Sequence, residues 1–454
     1  MQIINPATET VIREITEDNQ QTIHEKFELL AGGQPAWAKV PVQERIAVIQ
    51  KFYDLLDEHK DELAHTLTSE MGKPLQQSFN ELNGARGRIR FFTEHAAKYL
   101  AEEWITTEGA TKEKIVYEPL GIIANISAWN YPFLVGVNVF IPALIGGNAV
   151  FYKPSEYATL TGLQIQELLY KAGVPANCFQ TAIGRGPVGE LLLQLPLDGY
   201  FFTGSYKTGK YIAEKVAGKM VPCQLELGGK DPVYIADDIE NIKAVAAGTA
   251  DGAFYNNGQS CCAVERIYVH ENIYDAYVKE FIDEVNSWKT GSPTEDGVYI
   301  TVVSRKPQLE FIYTQVKDAV DKGAKVLAGG NKRTEKGYGF EATVVVDVTH
   351  DMSIMKDESF GPVIGIMKVK DDAEALKLMQ DTEYGLTAAV YSKSWERAQK
   401  ILSQIDSGTG YWNCCDRVSA PVPWSGRNHS GFGATLSHIG LRAFAKPKAY
   451  HLKR

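Results

Sequence analysis

The sequence predicts an α/β protein: two blocks of alternating strands and helices, preceded by a helical segment and flanked by a smaller β element. Three observations carry the prediction. Apolar residues recur at three- and four-residue spacing over Gln43–Ser69 and Gln76–Glu103, with Gly72-Lys73-Pro74 as the breaker between them. From Lys114 the texture changes to short β-rich runs alternating with amphipathic helices, the pattern of a largely parallel sheet covered by helices. A second such block follows a junction at Leu227–Asp231. At 454 residues, the chain is also too long for one small core.

In the first block the expected strands are Lys114–Tyr117, Ile122–Ser127, Ala149–Tyr152, Phe179–Ala182, Gly199–Phe202, Gln224–Leu227 and Pro232–Ile235. Helices are expected between them at Val135–Ile145, Leu160–Ala172, Val188–Gln194 and Thr208–Ala217. The second block predicts helices near Ile239–Asn256, at Ile273–Trp288 and at Pro307–Lys322. Its strands are expected at Arg266–His270, Lys325–Leu327, Thr343–Val348, Val363–Val369 and Ala388–Ser392. The polar, alternating segment Trp104–Ile115 suggests a protruding hairpin, and Ala445–Arg454 an edge strand suited to an oligomer contact.

Composition narrows the function classes. A net charge of −9, with no run of five or more Lys/Arg, argues against nucleic acid or an anionic membrane as partner. The apolar stretch Gly121–Tyr152 is interrupted by Asn125, Asn130, Pro132, Asn138, Pro142, Gly146, Gly147 and Asn148, so a buried strand, turn and helix explain it better than a membrane span. The start MQIINPATETVIREI has no basic, then apolar, export pattern, leaving the cytoplasm as the expected compartment. Six cysteines form no CxxC pair or disulfide framework, and no metal-ligand cluster stands out.

Three segments point to chemistry. In Asn256-Asn257-Gly258-Gln259-Ser260-Cys261-Cys262-Ala263, Cys261 falls on a glycine-bent turn between elements; a thiol there suits attack on a carbonyl, although most cysteines are inert core residues. In Leu225-Glu226-Leu227-Gly228-Gly229-Lys230, a single acid stands in an apolar strand. Apolar neighbours would raise its pKa and fit it for general-base work, ahead of an ion pair or helix cap. In Ser127-Ala128-Trp129-Asn130-Tyr131-Pro132, the Asn130 amide either braces a turn or donates to a developing oxyanion.

In this order the three segments resemble the signature regions of the aldehyde dehydrogenase superfamily, in its NAD(P)-dependent, non-phosphorylating form. Other matching marks are Glu70-Met71-Gly72-Lys73-Pro74, Lys153-Pro154-Ser155-Glu156, Phe202-Thr203-Gly204-Ser205 with Gly209, Glu358-Ser359-Phe360-Gly361-Pro362, Tyr384-Gly385-Leu386 and Pro423-Trp424-Ser425-Gly426. They cover nearly the whole chain in collinear order. The resemblance implies a Rossmann-like cofactor domain (1–103 and 121–227, with part of 416–435), an α/β catalytic domain (228–415) and a β oligomerisation element (104–120 and 436–454). It further implies a homodimer or homotetramer.

It also implies roles. Cys261 adds to the aldehyde as nucleophile, Asn130 and the Cys261 N–H hold the oxyanion, and Glu226 activates the water that hydrolyses the thioester. Trp129, Lys153, Glu156, Gly204, Ser205, Gly209, Glu358 and Phe360 would hold the cofactor. Glu156 favours NAD, because a carboxylate binds a ribose hydroxyl and repels a 2′-phosphate, but NADP stays admissible. Gly184-Arg185-Gly186-Pro187-Val188-Gly189 matches GxGxxG formally but lacks the acidic residue further on; it is better explained as a tight turn into a helix.

Tyr131, Leu134, Arg417, Ser419 and Trp424 are the expected substrate wall, with Arg417 and Ser419 either meeting an acidic substrate tail or forming a solvated rim. Trp424 replaces the family's usual phenylalanine. The short N-terminal arm resembles compact bacterial semialdehyde-oxidising branches. Competing readings are a CoA-acylating relative, disfavoured by Glu226; a cysteine hydrolase, disfavoured by the cofactor contacts; and a catalytically silent structural protein on this fold.

Overall fold

The computed structural model describes residues 1–453. An N-terminal hairpin, β1 (Gln2–Asn5) and β2 (Thr10–Glu14), leads into four helices: α1 (Gln20–Lys39), α2 (Val42–Glu58), α3 (Lys60–Met71) and α4 (Leu75–Tyr99). The expected long helix over Gln43–Ser69 is in fact α2 and α3, parted at His59, whose ψ of 10° leaves helical geometry. Helix α1 was not anticipated; its buried positions, Ile23, Leu30 and Trp37, are widely spaced and Pro35 lies inside it, so its periodicity is weak. Helix α3 ends at Gly72, whose φ of 75° is the left-handed cap that glycine supplies at little cost.

After α4 come a hairpin, β3 (Glu103–Thr106) and β4 (Thr111–Pro119), and then an alternating run. It comprises β5 (Ile122–Ile126), α5 (Pro132–Ile145), β6 (Ala149–Lys153), α6 (Thr159–Ala172), β7 (Phe179–Thr181), α7 (Gly186–Gln194), β8 (Gly199–Thr203), α8 (Tyr206–Val216) and β9 (Cys223–Glu226). Strands β5 and β6 are buried at every position and apolar except at Asn125 and Lys153, the pattern of a parallel sheet covered on both faces. The sheet has the order β9-β8-β5-β6-β7, all parallel, so the chain reverses direction between β5 and β8. Such a switch point opens a crevice at the carboxyl ends of the strands. A sixth, antiparallel strand, Gly431–Phe432, borders β9, with Gly431 opposite Glu226.

The second block opens with β10 (Asp231–Ile235), α9 (Ile242–Phe254), β11 (Val264–His270), α10 (Tyr274–Ser287) and α11 (Lys306–Asp321). Its seven-stranded sheet runs from Lys325–Ala328 through Thr343–Val346, Val363–Val369, β11, β10 and Thr387–Tyr391 to Thr409–Trp412. Only the Lys325–Ala328 pairing is antiparallel. Helices Asp372–Gln380 and Trp395–Leu402 and the strand Thr409–Trp412 were not anticipated. The terminal strand Ala445–Lys453 pairs antiparallel with β4 over nine residues, completing a three-stranded sheet with the β3–β4 hairpin. Among the described residues, no helix is long and apolar enough to cross a membrane.

Candidate active site

Both sheets send loops toward the same place. The β5–α5 turn carries Trp129 and Asn130, β9 ends on Glu226, and a turn after α9 carries Cys261. That last turn is built on two asparagines at positive φ, Asn256 and Asn257 (each 54°), followed by Gly258 at 69°. Asparagine tolerates this region better than most residues, and a Cβ on Gly258 would overlap the Gly361 carbonyl.

The cysteine turn and the asparagine turn are interlocked. Asn130 Nδ2 donates to the Gln259 carbonyl (3.1 Å), and Asn256 Nδ2 donates to the Asn130 carbonyl (3.3 Å). That carbonyl also accepts from Lys73 Nζ at 2.7 Å. Lys73 is paired with Glu81 at 2.7 Å, both side chains fully buried, and the other Glu81 oxygen accepts from Phe133 N at the start of α5. Lys73 also stands 4.2 Å from the centre of the Tyr131 ring. Thus Lys73 and Glu81 clamp both sides of the turn that carries Asn130. At the other end of the same motif, Glu70 accepts from Leu160 N, Thr161 N and Thr161 Oγ1, capping α6, which has no cap of its own. The motif was noticed in the sequence, but its bracing partners are distant in the chain and gave no signal there.

Glu226 is 7 % exposed. One oxygen accepts from Thr435 Oγ1 at 3.3 Å, while Oε2 has no partner in the protein. Burial pushes its carboxyl up to about 8. Thr435 is held by reciprocal backbone bonds with Trp424 (2.8 Å each). Trp424 is therefore a core residue, 7 % exposed, in the cluster whose edge includes Leu134, Trp129 and Cys261.

Cys261 is half-buried. Its neighbour Cys262 is sealed in and donates to Asp416 Oδ1 at 3.0 Å, and Ser260 Oγ donates to the same oxygen at 3.2 Å. The Cys262 thiol is held well above its ordinary range by Cys261, by burial and by Asp416. Asp416 itself is pushed up to about 6 by burial. It was not singled out from the sequence, since its contacts span more than 150 residues.

A cleft of about 540 Å³ connects these groups. Cys261, Asn130, Trp129 and Glu226 line it together with Lys153, Glu156, Gly204, Ser205, Glu358 and Phe360. Gly209, in the first turn of α8, is buried behind this wall against Leu227. Ser205 caps α8 without a side-chain bond, so the opening amides of an eleven-residue helix are uncommitted where they meet the cleft. Lys153 is buried, donates only a 3.4 Å bond to Pro154 O, and has its pKa lowered by burial. Glu358 accepts from Gly229 N (3.2 Å), and burial raises its carboxyl to about 8. Phe360 meets Trp129 edge-on at 5.4 Å, and Arg305, not anticipated, lies 5.0 Å over the same indole.

The Phe360 loop is anchored from below. Glu265 accepts from Ser359 N and Phe360 N, and Lys230 bridges Glu265 (2.5 Å) to Ser359 Oγ (3.1 Å). Gly186 and Gly189, of the formal GxGxxG match, open α7 and also line the cleft. Unpaired helix amides, a buried lysine and two carboxylates beside a glycine-walled channel form a donor and acceptor set that fits a dinucleotide.

The remaining expected residues divide. Tyr131 and Leu134 are half-buried beside Asn130, whereas Arg417 and Ser419 are exposed. Arg417 lines a second cleft of about 700 Å³ with Asp416, Tyr255, Asn80 and Cys414.

A nucleotide-sized crevice lined by a cysteine, a buried acid and an asparagine has the makings of a nucleotide-dependent enzyme site. Comparison with known proteins agrees. The aldehyde dehydrogenase family model matches residues 1–450. The chain is 32 % identical to the NADP(+) succinate-semialdehyde dehydrogenase of Deinococcus radiodurans, over 91 % of this chain and 86 % of that protein. It is 34 % identical to the peroxisomal aminoaldehyde dehydrogenase 1 of Malus domestica, over 97 % and 90 % respectively. Among solved structures, betaine aldehyde dehydrogenase from Staphylococcus aureus in complex with NAD+ superposes with a TM-score of 0.95 at 30 % identity, covering 99 % of this chain and 91 % of that one. The chain belongs to the aldehyde dehydrogenase family. It is an NAD(P)-dependent oxidoreductase that converts an aldehyde to the carboxylic acid.

Proposed function

We propose that this enzyme works through a thioester on Cys261, hydrolysed with Glu226 as base, and that it prefers NAD. The observation that carries the reading is the convergence of Cys261, Asn130 and Glu226 on one cleft, with a Glu226 oxygen left unpaired. The Cys261 sulfur attacks the aldehyde carbon, and the oxyanion of the tetrahedral adduct is held by the free Asn130 amide hydrogen and the Cys261 N–H. A bound NAD(P) would supply the acceptor for the hydride that leaves this carbon. Glu226 then takes a proton from water, which attacks the thioester and frees the acid and the thiol.

Glu358 and Phe360 are the groups that hold the nicotinamide end. The opening turn of α8, backed by Gly209, holds the pyrophosphate, and Lys153 and Glu156 hold the adenosine ribose. The Glu156 carboxylate favours a free 2′-hydroxyl over a phosphate. Residues 1–103 and 121–227, with part of 416–435, make the cofactor domain; 228–415 make the catalytic domain. The oligomerisation element, 104–120 and 436–454, carries the three-stranded sheet of β3, β4 and Ala445–Lys453, whose edge is the one through which a cytoplasmic homodimer or homotetramer assembles. Tyr131, Leu134 and Trp424 form the inner substrate wall, and Arg417 and Ser419 its outer rim.

The test is NAD(P)H formation by the wild type and by Cys261→Ser over a panel of aldehydes. Turnover that disappears in the variant is expected. A variant that keeps its activity, or a wild type that neither binds NAD nor turns over any aldehyde, overturns the reading.

A further inference from the structure

Helix α4 passes the start of α5 closely: a Cβ on Gly84 would stand 3.1 Å from Leu134 Cδ2. One turn further along α4, Arg88 reaches across the same contact. Its Nη1 donates to the Leu134 carbonyl and to Asn138 Oδ1, at 3.0 Å each. Both acceptors belong to α5, the helix entered directly from Asn130. The guanidinium is therefore fixed to the helix that follows the turn carrying Asn130.

What Arg88 lacks is a counter-ion. Among the described residues it makes no salt bridge, and its hydrogen bonds use Nη1 alone, leaving Nε and Nη2 uncommitted. Neither of those nitrogens is sealed away from solvent-sized space. The groups that act on its charge are Cys262, Cys261, Glu81 and Tyr131, in that order; burial nevertheless brings its pKa down to about 10. Half-buried on α4, it lies within electrostatic reach of the cysteine pair.

None of these neighbours neutralises it. Glu81 is committed to Lys73 and Phe133 N, and the Tyr131 hydroxyl is pushed well up by burial, so it stays neutral. The other acid beside the cysteines, Asp416, accepts from Ser260 and Cys262. A half-enclosed guanidinium with free donors is costly to leave unpaired, and its planar fork matches a carboxylate.

We propose that Arg88 anchors a carboxylate at the far end of the substrate, making the preferred aldehyde a short ω-carboxy aldehyde. This rests on the Cys261 reading above and assigns the acid-binding role to Arg88, half-buried beside α5, where the sequence alone had left Arg417 and Ser419 open between an acid contact and a solvated rim.

The experiment compares kcat/KM for acid and neutral pairs of matched length: glyoxylate with acetaldehyde, malonate semialdehyde with propanal, succinate semialdehyde with butanal, and glutarate semialdehyde with pentanal. In the wild type the acid is expected to lead by at least ~10-fold for one chain length. Arg88→Met should lower that acid-to-neutral ratio ~10- to 100-fold, chiefly through KM, and Arg88→Lys should restore part of it. Equal use of acid and neutral aldehydes by the wild type overturns the proposal. So does a variant that loses both members of each pair in parallel, the behaviour of a residue that only braces α5.

A second readout needs no turnover. Acetate or succinate should slow alkylation of Cys261 by iodoacetamide in the wild type but not in Arg88→Met. Protection without any aldehyde oxidation would sink the dehydrogenase mechanism and leave the carboxylate site standing. Turnover without protection or acid preference would do the reverse.

Discussion

Glu226→Gln separates the two halves of the reaction. The carboxyl sits at about 8, raised by burial and only partly offset by Thr435. At pH 7, one pH unit below that value, about one site in ten carries the base form. Hydrolysis should therefore accelerate about five-fold between pH 7 and 8 and level off above 9, provided deacylation limits turnover. The glutamine keeps the shape and the bond to Thr435 but takes no proton, and loss of a positioned base costs about 10²- to 10⁴-fold. Cys261 chemistry is left in place, so stopped-flow mixing with aldehyde and NAD should show a burst approaching one NADH per site, followed by a slow steady state without the alkaline rise.

The same substitution carries a stability signature. A carboxyl whose folded pKa lies above its unfolded value holds extra protons in the folded state between pH 4.5 and 8. Folding stability contributed by its protonated form is thus present at low pH and lost as pH rises through about 8. Glu226→Gln should unfold at a higher temperature than the wild type at pH 9 and show less advantage at pH 5. Loss of the burst together with the steady state would place Glu226 in acylation and refute the reasoning. An unchanged steady state would remove it from the chemistry altogether.

Three further outcomes are expected. Lys73→Met leaves the Glu81 carboxylate buried without its cation and cuts the bond to the Asn130 carbonyl. It should cost about 3–5 kcal/mol in urea unfolding, and the residual folded enzyme should lose kcat more than cofactor binding. Gly228→Ala puts a Cβ into the Glu358 carboxylate, so the KM for NAD should rise about ten-fold or more while iodoacetamide still reaches Cys261. Glu156→Gln removes the charge expected to repel a 2′-phosphate, and the NADP-to-NAD ratio of kcat/KM should rise by about ten-fold. No change in that ratio would show that discrimination lies elsewhere.

The sequence determined by itself whatever depends on local pattern. Short, nearly continuous apolar runs such as Ile122–Ile126 and Ala149–Lys153, punctuated by glycine and proline, specified the parallel strands, because a strand covered on both faces is apolar at most positions and does not alternate. Residue type and setting singled out Cys261 on a glycine-bent turn, Glu226 in an apolar strand and Asn130 at the end of another, and the collinear resemblance to the family's motifs gave them their expected roles. Weakly periodic or very short elements escaped it: α1, and the helices Asp372–Gln380 and Trp395–Leu402 of nine and eight residues.

Only the tertiary structure decided what surrounds those residues. The raised pKa of Glu226 depends on a sheet edge closed by Gly431–Phe432, some 200 residues away. The Lys73–Glu81 clamp, Asp416 under the cysteines and Arg88 over α5 are polar residues on amphipathic or loop segments, where a charge ordinarily reads as solvated surface. Burial and partnership are properties of distant chain segments brought together, and no local spacing encodes them.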